Sequence, residues 1–121
     1  MMKIEMPLTV KQNVIRSVDG RIKYKKFSDA GREHYHLGVW LDGEERVLDE
    51  INFVEYELHP SFSNRVRTSK NRKNSFSVTF WTWGMFDIEV RVHYFSGEVE
   101  TFTHTLEYSL PADDGHTYVA V

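Results

Sequence analysis

Two short segments carry the side chains best suited to recognising a small polar group. Residues 58–62 read Leu-His-Pro-Ser-Phe, and residues 81–86 read Trp-Thr-Trp-Gly-Met-Phe. Each segment ends a strand-like stretch and combines aromatic rings with hydrogen-bonding groups. A neutral planar amide has a π-face for stacking and polar atoms that need partners once they are buried. If the fold brings both segments to one end, they predict an aromatic-walled binding pocket.

The stretches around these segments alternate apolar and polar residues with a period of two. Such alternation predicts strands that each turn one face toward a core. The pattern runs through residues 54–58, 76–80, 88–94 and 102–110, and residues 14–18 and 22–27 are expected to be two further strands.

Turn residues separate these stretches. They are Asp19-Gly20, Asp42-Gly43, Ser96-Gly97 and Asp113-Asp114-Gly115. No convincing helical period lies between them, and short strands joined by such turns are typical of two packed sheets. The sequence therefore predicts an all-β fold, an immunoglobulin-like antiparallel β-sandwich of about seven or eight strands.

Residues 64–74 differ from the rest of the chain. They lack an apolar period, which predicts a basic surface loop. Their cations are Arg65, Arg67, Lys70, Arg72 and Lys73. Such a loop is either a solvated face or a docking surface for an acidic peptide or protein.

Composition limits the class of protein. A chain of 121 residues with 40% hydrophobic content fits a single domain over 1–121 with its own core. The absence of Cys removes disulfides and thiolate chemistry and fits a reducing compartment. A net charge of -3 argues against a nucleic-acid binder. The first residues hold no apolar run of the length that a signal peptide or a membrane span needs, so we expect a cytoplasmic domain without membrane contact.

The two segments, in this order and spacing, resemble the motifs of the YEATS domain, a family whose eukaryotic members read acylated lysines on histone tails. The likeness runs from about His34 to about Leu110 and is nearest to the bacterial branch of the family. The family's His-x-Ser-Phe loop is similar to residues 59–62, and its aromatic-x-x-Phe loop is similar to residues 83–86.

The resemblance implies a role for each residue of the pocket. Phe62 and Trp83 would be the walls that hold the acyl-amide, Ser61 would hydrogen-bond the amide, and His59 would orient Ser61. The backbone N–H near Trp83 and Gly84 would meet the acyl carbonyl. The ligand-binding set is His59, Ser61, Phe62, Trp83, Gly84 and Phe86. By register, the position of a further cage aromatic in the family falls here at Glu33 or His34.

A pocket of this kind favours the acylated lysine over the free one. Burying an ammonium without a carboxylate partner costs more than contact with the rings returns. The acid nearest to the motifs is Asp87, which alternation places on the opposite strand face from Phe86.

Other interpretations of the same residues remain open. Trp81, Trp83 and Phe86 also suit a sandwich core, and His59 with Ser61 also suits a loop cap. His34 and His36 have the spacing of metal ligands on one strand face but lack an evident third ligand. No orienting acid accompanies His59 and Ser61. We therefore predict no catalytic residues, no metal and no cofactor.

The sequence thus favours a non-catalytic binding module whose partner is an acylated-lysine peptide or another protein. The alternative is a protein-interaction or sensor module of a bacterial signalling or stress system, which would use the basic loop or a sheet edge; an enzyme ranks last. We further predict that Phe80 and Trp81 serve the core, and that Trp83 stands partly exposed at the rim beside His59 and Phe62.

Overall fold

The computed structural model describes residues 8–26 and 32–121. Phe27, which was expected at the end of a strand, and the N-terminal residues 1–7 lie outside these ranges. The elements within them are β1 (Thr9–Val14), β2 (Ile22–Lys26), β3 (Glu33–Asp42), α1 (Glu45–Leu48), β4 (Ile51–Glu57), β5 (Val66–Ser69), a 3-10 helix (Arg72–Asn74), β6 (Val78–Thr82), β7 (Phe86–Tyr94), β8 (Val99–Leu106) and β9 (Tyr118–Ala120). In the described ranges, no helix is long and apolar enough to span a membrane.

The strands form two sheets. In the first sheet, β3 is central: β2 and β1 pair along one of its edges, β6 pairs along the other, and β9 extends the sheet beyond β2. The second sheet has the order β5-β4-β7-β8 and is antiparallel throughout. The predicted all-β sandwich is confirmed, with nine strands in the described part of the chain and one parallel pair, β2 with β9.

The core lies between the sheets and consists of the alternate residues that face inward. Tyr56 of β4 is fully buried there, and its hydroxyl donates to the carbonyl oxygen of Phe76 at 2.6 Å. That bond satisfies two polar atoms that would otherwise be costly to bury. The other buried side chains from β3, β4 and β7 are Leu37, Val39, Leu41, Ile51, Val54, Ile88, Val90 and Val92.

Phe80 and Trp81 are neighbours in β6, and their side chains point to opposite faces of the sheet. Phe80 is buried in the core with 3% of its surface exposed, as predicted. The prediction that Trp81 also serves the core is wrong. Because neighbouring strand residues point to opposite faces, Trp81 lies on the outer face of the first sheet. There its ring stacks on His36 with centroids 4.5 Å apart, and the Lys25 ammonium lies 4.7 Å from the indole centroid.

The basic segment, residues 64–74, is partly regular rather than a loop throughout. It contains β5 and the 3-10 helix, so the expectation of a simple surface loop is corrected. Arg72 pairs with Glu45 and with Asp49, and Arg65 lies 3.6 Å from Glu57. These pairs neutralise part of the segment's charge within the molecule. Its docking of an acidic partner stays a prediction.

Two histidines should make the stability of the domain depend on pH. Burial, with Lys23 and Lys25 nearby, lowers the pKa of His36 below its ordinary value of 6.5, and burial lowers the pKa of His104. The unfolded chain therefore binds protons at a higher pH than the folded chain. The stability from these groups is present above their ordinary pKa and is lost as the pH falls below it. We expect urea denaturation to show a lower free energy of unfolding at about pH 5.5 than at about pH 7.5.

Two variants separate these histidines from other titrating groups. His36→Phe keeps a ring against Trp81 and also removes Nδ1 of His36, a buried nitrogen without a hydrogen-bond partner among the described residues. His104→Gln removes the second group, whose Nε2 lies 2.7 Å from Oε1 of Gln12. The double variant should show a flatter dependence on pH. If the free energy of unfolding of the double variant varied with pH as steeply as that of the wild type, other titrating groups would be responsible for the effect.

Candidate functional site

Strand pairing brings the two predicted segments to the same end of the sandwich. Glu57, the last residue of β4, pairs with Glu89 near the start of β7, so the loop after β4 lies beside the turn that precedes β7. In the other sheet, Thr82 at the end of β6 pairs with Tyr35 near the start of β3. The turn 83–85 thus crosses from the first sheet to the second at the end where the loop 58–65 begins.

His59 and Ser61 form a defined pair within the first loop. The backbone N–H of Ser61 donates to Nδ1 of His59 at 3.0 Å, and Oγ of Ser61 lies 2.8 Å from the same nitrogen. An N–H can only donate, so Nδ1 accepts and carries no proton. The hydroxyl of Ser61 then shares the single lone pair of Nδ1 as a second donor, which leaves its own oxygen lone pairs available. The imidazole of His59, rather than the hydroxyl of Ser61, caps the backbone of this loop.

Aromatic rings join this loop to the start of β7. The Phe86 centroid lies 5.5 Å from that of Phe62 and 6.1 Å from that of His59. Phe80, beneath them in the core, lies 5.9 Å from Phe62 and 6.0 Å from Phe86. Such separations and tilted planes suit aromatic contacts. The structure therefore brings His59, Ser61, Phe62 and Phe86 together on a buried ring.

Trp83 is partly exposed, as predicted, with 53% of its surface accessible. Its position beside His59 and Phe62 stays a prediction. The guanidinium of Arg32, just before β3, lies 4.0 Å from the centroid of its indole. A second guanidinium, that of Arg67, lies 5.9 Å from the centroid of Phe62. Sequence reasoning missed both arginines. No local pattern marks Arg32, and the sequence pattern assigns Arg67 to the basic surface loop.

Gly84 has backbone bonds of its own. Its N–H donates to the Thr82 hydroxyl at a long 3.3 Å, and its carbonyl oxygen accepts from the Tyr108 hydroxyl at 3.2 Å. A Cβ added at Gly84 would meet no heavy atom within 4 Å. The N–H is therefore weakly engaged, and the space beside Gly84 is open.

Glu33 and His34, the two residues expected by register at the position of a further cage aromatic, both make local hydrogen bonds. Glu33 accepts a hydrogen bond from the Tyr35 hydroxyl at 2.9 Å, and Nδ1 of His34 lies 3.0 Å from the carbonyl oxygen of Arg32. His36, the other histidine considered as a metal ligand, stacks on Trp81. Over the described ranges, no three His, Asp or Glu side chains are grouped so that they would hold a metal ion.

The family is shown by the match of residues 35–107 to the model of the prokaryotic YEATS domain. The chain belongs to that family. A relative by sequence is transcription initiation factor TFIID subunit 14 of Schizosaccharomyces pombe, 36% identical over 67 residues. That alignment covers 54% of this chain but 27% of the relative, so the chain matches only a small part of that protein.

Solved YEATS domains share the fold. A Yaf9 YEATS domain bound to an acetylated histone H3 peptide has a TM-score of 0.58 and 22% identity, over 92% of this chain and 80% of that one. A Yaf9 YEATS domain recognising a succinylated histone H3 peptide has a TM-score of 0.56 and 21% identity, over 88% and 79%. The structure of yeast Yaf9 itself has a TM-score of 0.59 and 22% identity, over 88% and 73%.

Proposed function

We propose that this domain is a non-catalytic reader that binds an acylated lysine, or a similar amide, at the end of the sandwich. The observation that carries the proposal is the joining of the His59–Ser61 pair to the rings of Phe62 and Phe86, at the end where Trp83 is exposed. Family membership and the peptides named for the Yaf9 structures support the ligand class.

Ser61 is the acceptor in this proposal. Its proton is committed to Nδ1 of His59, so its oxygen presents lone pairs to a ligand N–H. The amide N–H of an acylated lysine is such a donor, and the long bond from the Gly84 N–H to Thr82 leaves that donor able to turn to the acyl carbonyl. The amide plane would lie against the exposed ring of Trp83 and the partly buried ring of Phe62.

The charges near the slot favour an acylated lysine over a free one. The guanidinium groups of Arg32 and Arg67 lie over Trp83 and Phe62, the two rings assigned as walls. An ammonium entering between these rings would meet two cations, and like charges at short range raise the cost of burial. Acylation removes the charge and with it this repulsion.

The direct test is an array of lysine peptides that differ only in the acyl group, probed with the wild-type chain. We expect signal on acylated peptides and none on the matched unmodified peptides. Equal signal on both sets would contradict the proposal, because the slot would then not discriminate by charge.

Ser61→Ala should weaken binding of an acyl-lysine peptide by about 1–2 kcal/mol, through loss of one hydrogen bond, with little change in thermal stability. Ser63→Ala is the matched control, since Ser63 is an exposed serine two residues along the same loop. Calorimetric titration of one peptide against the three proteins decides the matter. Equal affinities for Ser61→Ala and wild type would remove Ser61 from the site. A large drop in the melting temperature would instead support a purely structural role in the loop.

A further inference from the structure

A cavity lies against the first sheet, and none of the six residues assigned to the acyl-lysine slot lines it. It has a volume of about 460 Å³, within the range of small-molecule sites. Its lining residues are Tyr24, Glu33, Tyr35, Asp113, Gly115 and Tyr118. Three tyrosines and two carboxylates therefore face one space, a composition that the proposed acyl-lysine site does not use.

Strand register places the three rings on one face of the sheet. Tyr24 lies directly opposite Tyr35 on neighbouring antiparallel strands, so their side chains share a face. Tyr118 pairs with Ile22, two residues before Tyr24 on the same strand, which gives it the same orientation. Ile22 is fully buried, so this is the inner face of the sheet. The ring centroids of Tyr35 and Tyr118 are 6.2 Å apart and their planes are tilted by 58°.

Both carboxylates are fixed by hydrogen bonds and keep further acceptor capacity. Oε1 of Glu33 accepts from the Tyr35 hydroxyl at 2.9 Å, and Oδ1 of Asp113 accepts from the N–H of Gly115 at 2.9 Å. An ionised carboxylate has about four acceptor positions, so each has room for a donor from a ligand. The Tyr118 hydroxyl donates to the carbonyl oxygen of Pro111, which holds its ring in place.

Burial and the nearby carboxylates raise the pKa of two tyrosines of the cavity. Burial, followed by the hydrogen bond and charge of Glu33, raises the pKa of Tyr35 to about 12. Burial raises the pKa of Tyr118, and the charges of Asp113 and Glu33 raise it further, against an opposing effect of Arg16. Arg16 donates to the carbonyl oxygen of Gly20 at 3.0 Å.

We propose that this cavity binds an alkylammonium cation, such as the methylated side chain of a lysine or a free quaternary amine. The faces of aromatic rings carry negative charge that attracts a cation within about 6 Å, and recognition of quaternary and methylated ammonium groups uses cages of such rings. Glu33 and Asp113 add full negative charges. An anion would be repelled by both carboxylates, and a neutral apolar group would leave their remaining acceptor positions unused.

The test is a titration of the full chain in which NMR monitors the amide resonances of Gly115 and Tyr118. Choline is the first probe, and 3,3-dimethylbutanol is its uncharged analogue of nearly the same shape. We expect choline to bind in the millimolar range and the alcohol to bind far more weakly. Equal binding of the two would overturn the proposal, as would no shift with choline, tetramethylammonium or a trimethyllysine peptide.

Charge variants locate the site. Glu33→Gln and Asp113→Asn should each weaken the binding of choline by about fivefold or more, because each removes one negative charge from the cavity wall. Asp42→Asn is the control, since Asp42 is an exposed carboxylate at the far end of the strand that begins with Glu33. Losses as large in the control would show general surface attraction and would overturn the proposal. A trimethyllysine peptide that binds tighter than choline would assign the cavity to a protein ligand, and the reverse order would assign it to a free amine.

Discussion

Trp83→Ala is expected to weaken acyl-lysine binding severely while leaving the domain almost as stable as the wild type. A stacking ring at the centre of a small binding site typically contributes about 2 kcal/mol or more, which is a loss of roughly 30-fold in affinity. Since 53% of Trp83 is exposed, its removal should cost much less stability than the roughly 3–5 kcal/mol of a core tryptophan. Titration with an acyl peptide and urea denaturation measure the two quantities.

Met85→Ala is the matched control for Trp83. Met85 lies in the same turn, has 60% of its surface exposed and offers no ring. It should leave affinity within about twofold of the wild type. If Trp83→Ala kept full affinity, or if both variants weakened binding equally, the assignment of Trp83 as a wall would fail. The turn as a whole, rather than the ring, would then carry the effect.

Strands with apolar residues on one face were predictable from the sequence. The alternation over residues 88–94 corresponds to β7, and that over 54–58 corresponds to β4 and the residue after it. Within residues 88–94 and 54–58 the inward residues are apolar and the outward ones polar, so the period of two is visible without the fold. The partial exposure of Trp83 followed in the same way from Gly84, where the register was expected to end.

Strands whose inward positions are polar could not be predicted from the alternation. In β5, Arg67 lies opposite the buried Tyr56, and Ser69 lies opposite Val54, so an arginine and a serine occupy the inner face. The alternation that marks a strand is then absent, although the backbone pairing is complete. β5 is an edge strand of the sheet, where a long side chain such as that of Arg67 reaches the rim and covers Phe62.

Contacts between distant segments were also beyond the sequence pattern. The cavity of the three tyrosines depends on the parallel pairing of β9 with β2, which joins residues almost a hundred positions apart. Nothing local to Tyr118 indicates that partner. The stacking of Arg32 on Trp83 has the same origin, because the start of β3 meets the end of β6 only through the register of the sheet.

Phe80→Ala should be the most destabilising change at the site, because Phe80 lies in the core beneath Phe62 and Phe86. Truncating a buried phenylalanine typically costs about 3–5 kcal/mol, from lost burial and the cavity left behind. Trp81→Ala, at the next residue, removes a larger ring from the outer face and should cost less, since the indole is only partly buried against His36. Urea denaturation measures the loss of stability in each variant, and the midpoints can be compared directly if the two variants unfold with the same m-value. Equal losses would mean that Trp81 is as much a part of the core as Phe80.

With the expected order, the folded fraction of Phe80→Ala should also bind acyl peptide more weakly, because Phe62 and Phe86 lose the ring that positions them.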